Sequence, residues 1–506
     1  MNKYEVSIKE NNKYFTGISI LYGVIFAFCM YKNLFGWTFL IYAIATVLVL
    51  HKFLEKVNAF PKKETKFFFA GVILCGMSTC LTANIFLQFL NWCCLIVLLM
   101  ALMINQLNEK SNFKLSTYIE KLIKVLFKTI GSMFLPLITI KNEIKIDKKK
   151  RNIDKEKWKM IFAGGSMAVC VLVVVVPLLA SSDIIFENIL KKIFSWLSFD
   201  GFYSLITNFE TLLGIFFTFI AGFLLIYAFF YASCHVNEGT DTELQEKKHK
   251  ALSGIVFSFS IASVYLLYSI VQIRYLFMRA GLPEGLTYSE YAHSGFWQLV
   301  LVVVINVCMV MICSEIYEKN KYLQGIITLI SLCTYVMIFS AAYRMQLYIS
   351  VYYMTFLRLV VLCFLAVVSL IMAGVIISIY REKFPIAKYI IAVTAGSYLL
   401  FSFSQPDYWI AKYNVKHIEQ LSCADLEYMM YSLSVDAAPV IAKIDPSQVS
   451  SEDGYGRTYY YDNVTQDTAE IMMQNYFQKI KQENENISFR KANFSRIRAK
   501  RIAGSF

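Results

Sequence analysis

The sequence predicts an all-α fold: a polytopic transmembrane helix bundle of about eleven spans, followed by a small, mainly helical extracytoplasmic C-terminal domain. Three observations carry that expectation. Of 506 residues, 57% are hydrophobic and 17% are charged, against roughly 45–50% and 25% in an average soluble domain. The apolar residues gather in stretches of ~20 without Asp, Glu, Lys or Arg, the length that crosses a ~30 Å hydrocarbon layer. After Ser404 the composition turns abruptly soluble, with 13 acidic and 12 basic residues to the end of the chain. A disordered chain is excluded, and an ordinary soluble enzyme does not have this composition.

The spans fall near 14–31, 34–51, 67–85, 89–107, 160–180, 210–233, 252–273, 295–313, 322–342, 356–380 and 387–404. Between Phe67 and Asn108 no charge occurs, and a tight hairpin is expected to turn near Asn84–Asn91. The first span lacks a small-residue cleavage site at Ala27-Phe28-Cys29-Met30 and reads as an uncleaved anchor. Four regions follow: a four-span part at 1–110, a basic segment at 111–159, a seven-span core at 160–404 and the outer domain at 405–506.

Orientation follows from Lys and Arg in alternate loops. The N-terminus and every second loop hold 30, and the opposite set holds seven up to residue 403. The expectation is an integral membrane protein with its N-terminus cytoplasmic and its C-terminus extracytoplasmic. The net charge of +13 then follows from topology and requires no nucleic acid. Most of it lies at 105–159. There Ile119, Leu122, Ile123, Leu126, Phe127 and Ile130 share a helical face, with Lys121, Lys124 and Lys128 off it. This pattern suits a helix on anionic lipid at the inner face of the bilayer. A second amphipathic pattern, Ile185 to Leu197, suits a lid or interfacial helix on the outer side.

Chemistry-bearing motifs are sparse. Eleven of the 12 cysteines sit in or beside spans, Cys423 stands alone in the tail, and the five histidines are scattered. No metal site and no cofactor is expected. No span carries Asp or Glu at its middle, which argues against a proton-coupled carrier. P-loop, HExxH and GxSxG motifs do not occur. A membrane-embedded transferase would need an outer carboxylate, and Asp183 and Asp407 are the candidates.

Two polar stripes remain. Arg344, Tyr348, Tyr352, Thr355 and Arg358, separated by 4, 4, 3 and 3 residues, would share one face of one helix. Two guanidinium forks and three hydroxyls could bind an anion or a lipid headgroup, or the arginines could snorkel within an aromatic belt. Tyr265, Tyr268, Gln272 and Tyr275 form a matching stripe that could line the same cavity. The roles compatible with this inventory are a non-catalytic sensing or scaffolding component, a transporter of small or lipid-like anions, and a membrane-embedded transferase.

Five strings resemble a bacterial family of multi-pass membrane proteins, domain of unknown function 4173, and its broader relative 4153. They are Tyr288-Ser289-Glu290-Tyr291-Ala292 with Gly295-Phe296; Arg344 to Tyr348 with Tyr352, Thr355 and Arg358; Pro406-Asp407 with Ile410 to Asn414; Asp425 to Tyr428 with Leu433-Ser434-Val435-Asp436-Ala437 and Pro439; and Arg490 with Asn493 to Arg496 and Arg498. The resemblance spans roughly 160–506 and leaves the first 150 residues as a variable addition. It implies a polytopic bundle with an outer C-terminal segment and supplies no reaction. The sequence departs from the pattern at Gln405, Tyr353 and Ala492, where Asn, Gly and Trp are expected.

Overall fold

The computed structural model describes residues 3–59, 62, 64–108, 115–133, 200–235, 249–274, 296–381, 383–419, 421–449, 469–485 and 487–506. Among these residues the fold is helical, with no strand beyond a single bridge between His249 and Tyr317. Nine described helices are long and apolar enough to cross a membrane, and Thr65–Leu81 is a shorter apolar helix beside them. Ten of the eleven expected spans therefore appear as helices. The eleventh, at 160–180, and the amphipathic stretch at 185–197 lie outside the described residues.

The helices before the tail are α1 (Lys3–Glu10), α2 (Asn12–Met30), α3 (Trp37–Lys56), α4 (Thr65–Leu81), α5 (Ile85–Leu107), α6 (Leu115–Gly131), α7 (Asp200–Cys234), α8 (Ala251–Gln272), α9 (Phe296–Ile316), α10 (Lys321–Tyr352), α11 (Phe356–Tyr380) and α12 (Ile386–Phe403). The chain divides into two compact units. One holds residues 8–32 and 127–232, and its described helices α2 and α7 run antiparallel. Small residues let them approach: a Cβ on Gly23 would lie 2.9 Å from the Phe219 carbonyl oxygen, and one on Gly222 2.6 Å from Phe26. The Phe15 and Phe230 rings and the Tyr227 hydroxyl bonding Asn12 at 2.8 Å complete that pair.

The other unit holds the remaining helices and the tail. There α3 packs on α4, α4 on α5, α8 on α10, α9 on α10, and α10 on α11. The hairpin of α4 and α5 turns at 82–84, earlier than the sequence suggests. Asn84 decides the place: its side chain accepts the Leu87 N–H and caps α5.

Helix ends in this unit fall into two groups. At one end Lys62 Nζ donates to the carbonyls of Asn105 and Asn108, both at 2.7 Å, and satisfies acceptors left at the C-terminus of α5. Lys388 pairs there with Glu64 at 2.7 Å, Gln324 bonds the Ile379 carbonyl, and Leu115 N–H bonds Glu315. At the opposite end lie the turns at 33–37, 82–84 and 353–355, joined by the tail. These groups match the two loop sets that the basic-residue count separates.

The tail forms a helical cap: α13 (Pro406–His417), α14 (Cys423–Glu427), α15 (Ala438–Ile441), α16 (Ala469–Asn484) and α17 (Phe494–Ala503), with short π and 3-10 turns between. The last membrane helix does not run on into it. Gln405 is left-handed at φ 53°, and Pro406 restarts the helix at its first turn. Ser422 and Asp425 make a reciprocal capping box at the head of α14. Ile410, Leu426, Met429, Ile441, Met473, Phe477 and Ala499 form a buried core, against which Met354, Phe356 and Leu359 of the α10–α11 hairpin also pack.

Candidate functional site

Two polar clusters sit at the cap end. The first contains the sequence candidates, but on a different backbone. Arg344, Tyr348 and Tyr352 lie on α10, which ends at Tyr352. Tyr353 then takes φ 59° and ψ −179°, Thr355 precedes α11, and Arg358 is the third residue of that helix. The expected single helical face is therefore corrected to the facing ends of two helices. Spacing misled because the break falls between residues whose separations still suit a helix.

The hairpin nevertheless gathers most of the stripe. Arg344, Tyr348, Thr355 and Arg358 line one cavity of about 230 Å³ with Phe296, Trp297, Met345, Leu357 and Val361. Tyr352 does not line it. Arg344 is 6% exposed, and its Nη2 reaches Gln272 Oε1 at 3.4 Å, while Ser340 donates to the same oxygen at 2.7 Å. Gln272 thus supports Arg344 from α8. Tyr265 and Tyr268 pack against the apolar core behind them, and Tyr275 lies outside the described residues.

Arg358 folds back onto the end of the preceding helix. Its Nη1 donates to the carbonyls of Tyr352, at 2.5 Å, and Tyr353. The guanidinium also stands 4.4 Å from the Tyr348 ring centre. A cation on the open carbonyls of a helix C-terminus satisfies acceptors and complements the helix dipole, and the ring face adds a cation–π contact.

Sequence reasoning named Asp407 but missed the second cluster to which it belongs. Asp436, in a 3-10 turn of the cap, is 4% exposed. Its Oδ2 accepts the Thr82 hydroxyl at 2.5 Å, and its Oδ1 accepts the Ala83 N–H at 2.9 Å and the Ser495 hydroxyl. Asp407, fully buried at the first turn of α13, accepts Asn84 Nδ2 at 2.8 Å and Ser434 N–H at 3.0 Å, both on Oδ2. Asn493 caps α17 and donates to the Thr82 carbonyl at 3.0 Å. Gln405 Nε2 reaches the Leu81 carbonyl, also at 3.0 Å. Three segments more than fifty residues apart, 82–84, 434–436 and 493–495, thus close on one carboxylate.

The neighbouring turn is bound to the same strip of tail. Asn33 Nδ2 donates to the Arg490 carbonyl at 2.8 Å, and Trp37 N–H donates to the Ala492 carbonyl at 3.2 Å. Gly36 sits there at φ 85°, and a Cβ would lie 2.7 Å from the Ala492 oxygen. Only glycine suits both the backbone angle and the space. A Trp at 492 would have to share this buried strip, where Ala492 is 7% exposed.

Burial pushes the Asp436 carboxyl above the ordinary carboxylate range, and the charge of Asp407 adds to the push. The bonds from Ser495, Thr82 and Ala83 N–H favour the ionised form and act against it. Burial likewise raises the Tyr476 phenol, with Asp436 and Tyr431 as further contributors. Among the described residues no group of His, Cys, Asp and Glu could hold a metal ion.

No curated protein and no solved structure matches the chain. The family described as "Domain of unknown function (DUF4153)" matches residues 69–444. That match begins within α4, so α4 and α5 belong to the family region that the resemblance had left out, and it ends before the string at 490–498. The 4173 label is not what matches; its broader relative is. With some three-quarters of its length matched, this multi-pass membrane protein belongs to the DUF4153 family.

Proposed function

We propose that the protein is a non-catalytic sensing or scaffolding component of a bacterial plasma membrane, presenting its cap at the extracytoplasmic face. The observation that carries this reading is the enclosure of both conspicuous carboxylates of the cap. Asp407 and Asp436 are buried and hold the cap on the α4–α5 turn. An acid, base or nucleophile must reach its substrate, and Asp407 is enclosed, which removes one of the two outer carboxylates that a transferase could use. Orientation rests on the 30-to-seven bias of basic residues toward the loop set opposite the cap.

At the cytoplasmic face the same reading places α6 on anionic lipid. Its Tyr118, Lys121 and Val125 are buried, Lys121 bonding Asn108 at 2.8 Å, while Ile119, Ile123, Leu126, Phe127 and Ile130 are exposed. An apolar stripe open on a helix that begins at the far end of the bundle fits the bilayer boundary.

The test uses Asp407→Asn in a strain lacking the chromosomal copy. The amide oxygen still accepts from Asn84 and Ser434, so the variant should complement whatever growth or morphology difference separates that strain from its parent. Failure to complement by a variant of wild-type stability would show a catalytic carboxylate and end the non-catalytic reading. A reporter fused after Phe506 should be active outside the cell; activity inside would reverse the orientation.

A further inference from the structure

We infer that the outward faces of α13 and α17 form one basic, aromatic surface of the cap that rests on anionic phospholipid headgroups. This goes beyond the scaffolding role, stands on exposed residues that reading does not use, and holds whichever leaflet the cap meets. On α13, Trp409, Lys412 and Lys416 recur at i, i+3 and i+7 and are exposed, while Asp407, Ile410, Ala411 and Asn414 face inward and are buried. On α17, Phe494, Ile497, Arg498 and Arg501 recur at i, i+3, i+4 and i+7 and are exposed, while Ser495, Ala499 and Ala503 are buried. The two faces meet at Tyr408, whose ring centre lies 5.9 Å from Lys412 Nζ and 6.0 Å from the Arg498 guanidinium carbon.

Charge on this surface is of one sign. Neither stripe carries Asp or Glu, and among the described residues Lys412, Lys416, Arg498 and Arg501 make no ion pair. From Phe489 to Phe506 the chain holds six basic residues and no acidic one. Such a face is drawn to an anionic surface and repelled by another basic one.

The apolar members of the face favour a bilayer over a soluble polyanion. Trp409 is 52% exposed, Phe494 53% and Ile497 40%. A soluble anionic polymer leaves such groups in water, whereas the membrane interface covers them beside the cations. Placement agrees with this. Asp407, in the first turn of α13, bonds Asn84 at the α4–α5 turn. Asn414, about two turns on, exchanges bonds of 2.9 and 3.0 Å with the Met354 backbone at the α10–α11 turn. The helix α13 thus lies across the ends of two hairpins of the bundle. Phe494 packs on Trp37, the first residue of α3, with ring centres 4.6 Å apart. The exposed aromatics therefore stand at the ends of membrane helices, the depth at which tryptophan gathers.

The test is Trp409 fluorescence in the full chain, reconstituted in vesicles of phosphatidylcholine brominated near the headgroup, with or without phosphatidylglycerol. Subtracting the signal of Trp409→Phe isolates that residue. Trp409 should be quenched in the anionic vesicles and much less in the neutral ones. The difference should vanish at about 1 M salt, where the screening length is ~3 Å. Each basic residue at an anionic surface is worth about a fivefold change in occupancy, so Lys412→Gln combined with Arg498→Gln should lose most of the difference. Both positions are exposed, and the salt series on the wild type decides the matter should that variant fail to fold. Equal quenching in the two kinds of vesicle, or none in either, would overturn the proposal. Shielding of Trp409 from acrylamide by soluble polyglutamate, without quenching by lipid, would give the face to an acidic polymer and overturn the lipid assignment.

Discussion

At the cap end of the bundle, two polar clusters handle charge in opposite ways. Beneath the cap, two carboxylates are surrounded by hydroxyls, an amide and backbone N–H groups from three distant segments. At the α10–α11 hairpin, two guanidiniums border a cavity, with one fastened to the helix end and the other beside a glutamine. The first arrangement closes on itself and joins chain segments. The second lines a cavity between helix ends. Burial of charge is therefore no guide to role until its surroundings are known.

The largest effect should come from removing the acceptor in the first cluster. Asp436→Ala leaves the Thr82 and Ser495 hydroxyls and the Ala83 N–H without their acceptor in a buried site. Each orphaned buried group costs about 1–3 kcal/mol, so the cap should loosen by several of these, read as faster limited proteolysis of 434–503. Asp436→Asn mimics the protonated acid and should lose far less. A pH series separates the two forms. Because the folded carboxyl is raised, its contribution is present in full below the unfolded value and is lost as pH rises through the folded one. The wild-type cap should accordingly be held more tightly at acid pH, and Asp436→Asn should flatten that dependence.

A smaller effect, of opposite sign, is expected at the hairpin. Tyr353 holds φ 59° with ψ −179°, a region that suits glycine and costs other residues about 1–3 kcal/mol. Tyr353→Gly should raise the thermal midpoint of unfolding by relieving about 1 kcal/mol or more of that strain. An unchanged or lowered midpoint would mean that the Tyr353 side chain compensates for its backbone.

The smallest effect belongs to Tyr476→Phe. Among the described residues its buried hydroxyl has no hydrogen-bond partner, so removing it should alter stability by less than about 1 kcal/mol, with either sign allowed by the desolvation relieved. A large loss would show that the hydroxyl belongs to the network of Asp436 and Asp407.

The difference between the clusters also sets how legible each was. Spans were readable because a ~20-residue apolar run must be a helix in lipid, where every backbone group needs an internal partner. The arginine stripe was readable as composition but not as geometry, since Tyr353 breaks the helix without proline or glycine. Of the three departures from the family pattern, those at Tyr353 and Gln405 fall on positive-φ positions. A residue pattern expecting Gly and Asn there marked the turns, because those types tolerate that backbone most easily. The carboxylate cluster was not legible. Asp407, Ser434, Asp436, Asn493 and Ser495 all stand in the strings that carry the resemblance, yet their partners Thr82 and Asn84 lie over 300 residues earlier. Nothing along the chain pairs such positions. The four-span N-terminal part looked like an addition for the same reason, although its turns at 33–37 and 82–84 hold the cap.

The central claim is that Asp436 attaches the cap to the turn between α4 and α5. Hydrogen–deuterium exchange of the full chain, wild type against Thr82→Val, tests it most directly. Valine keeps the volume of threonine and removes one donor to the carboxylate. The claim predicts faster exchange at 434–441 and 494–503, far from the substituted turn in sequence. A change confined to the residues around 82, with the cap amides exchanging as in the wild type, would contradict it.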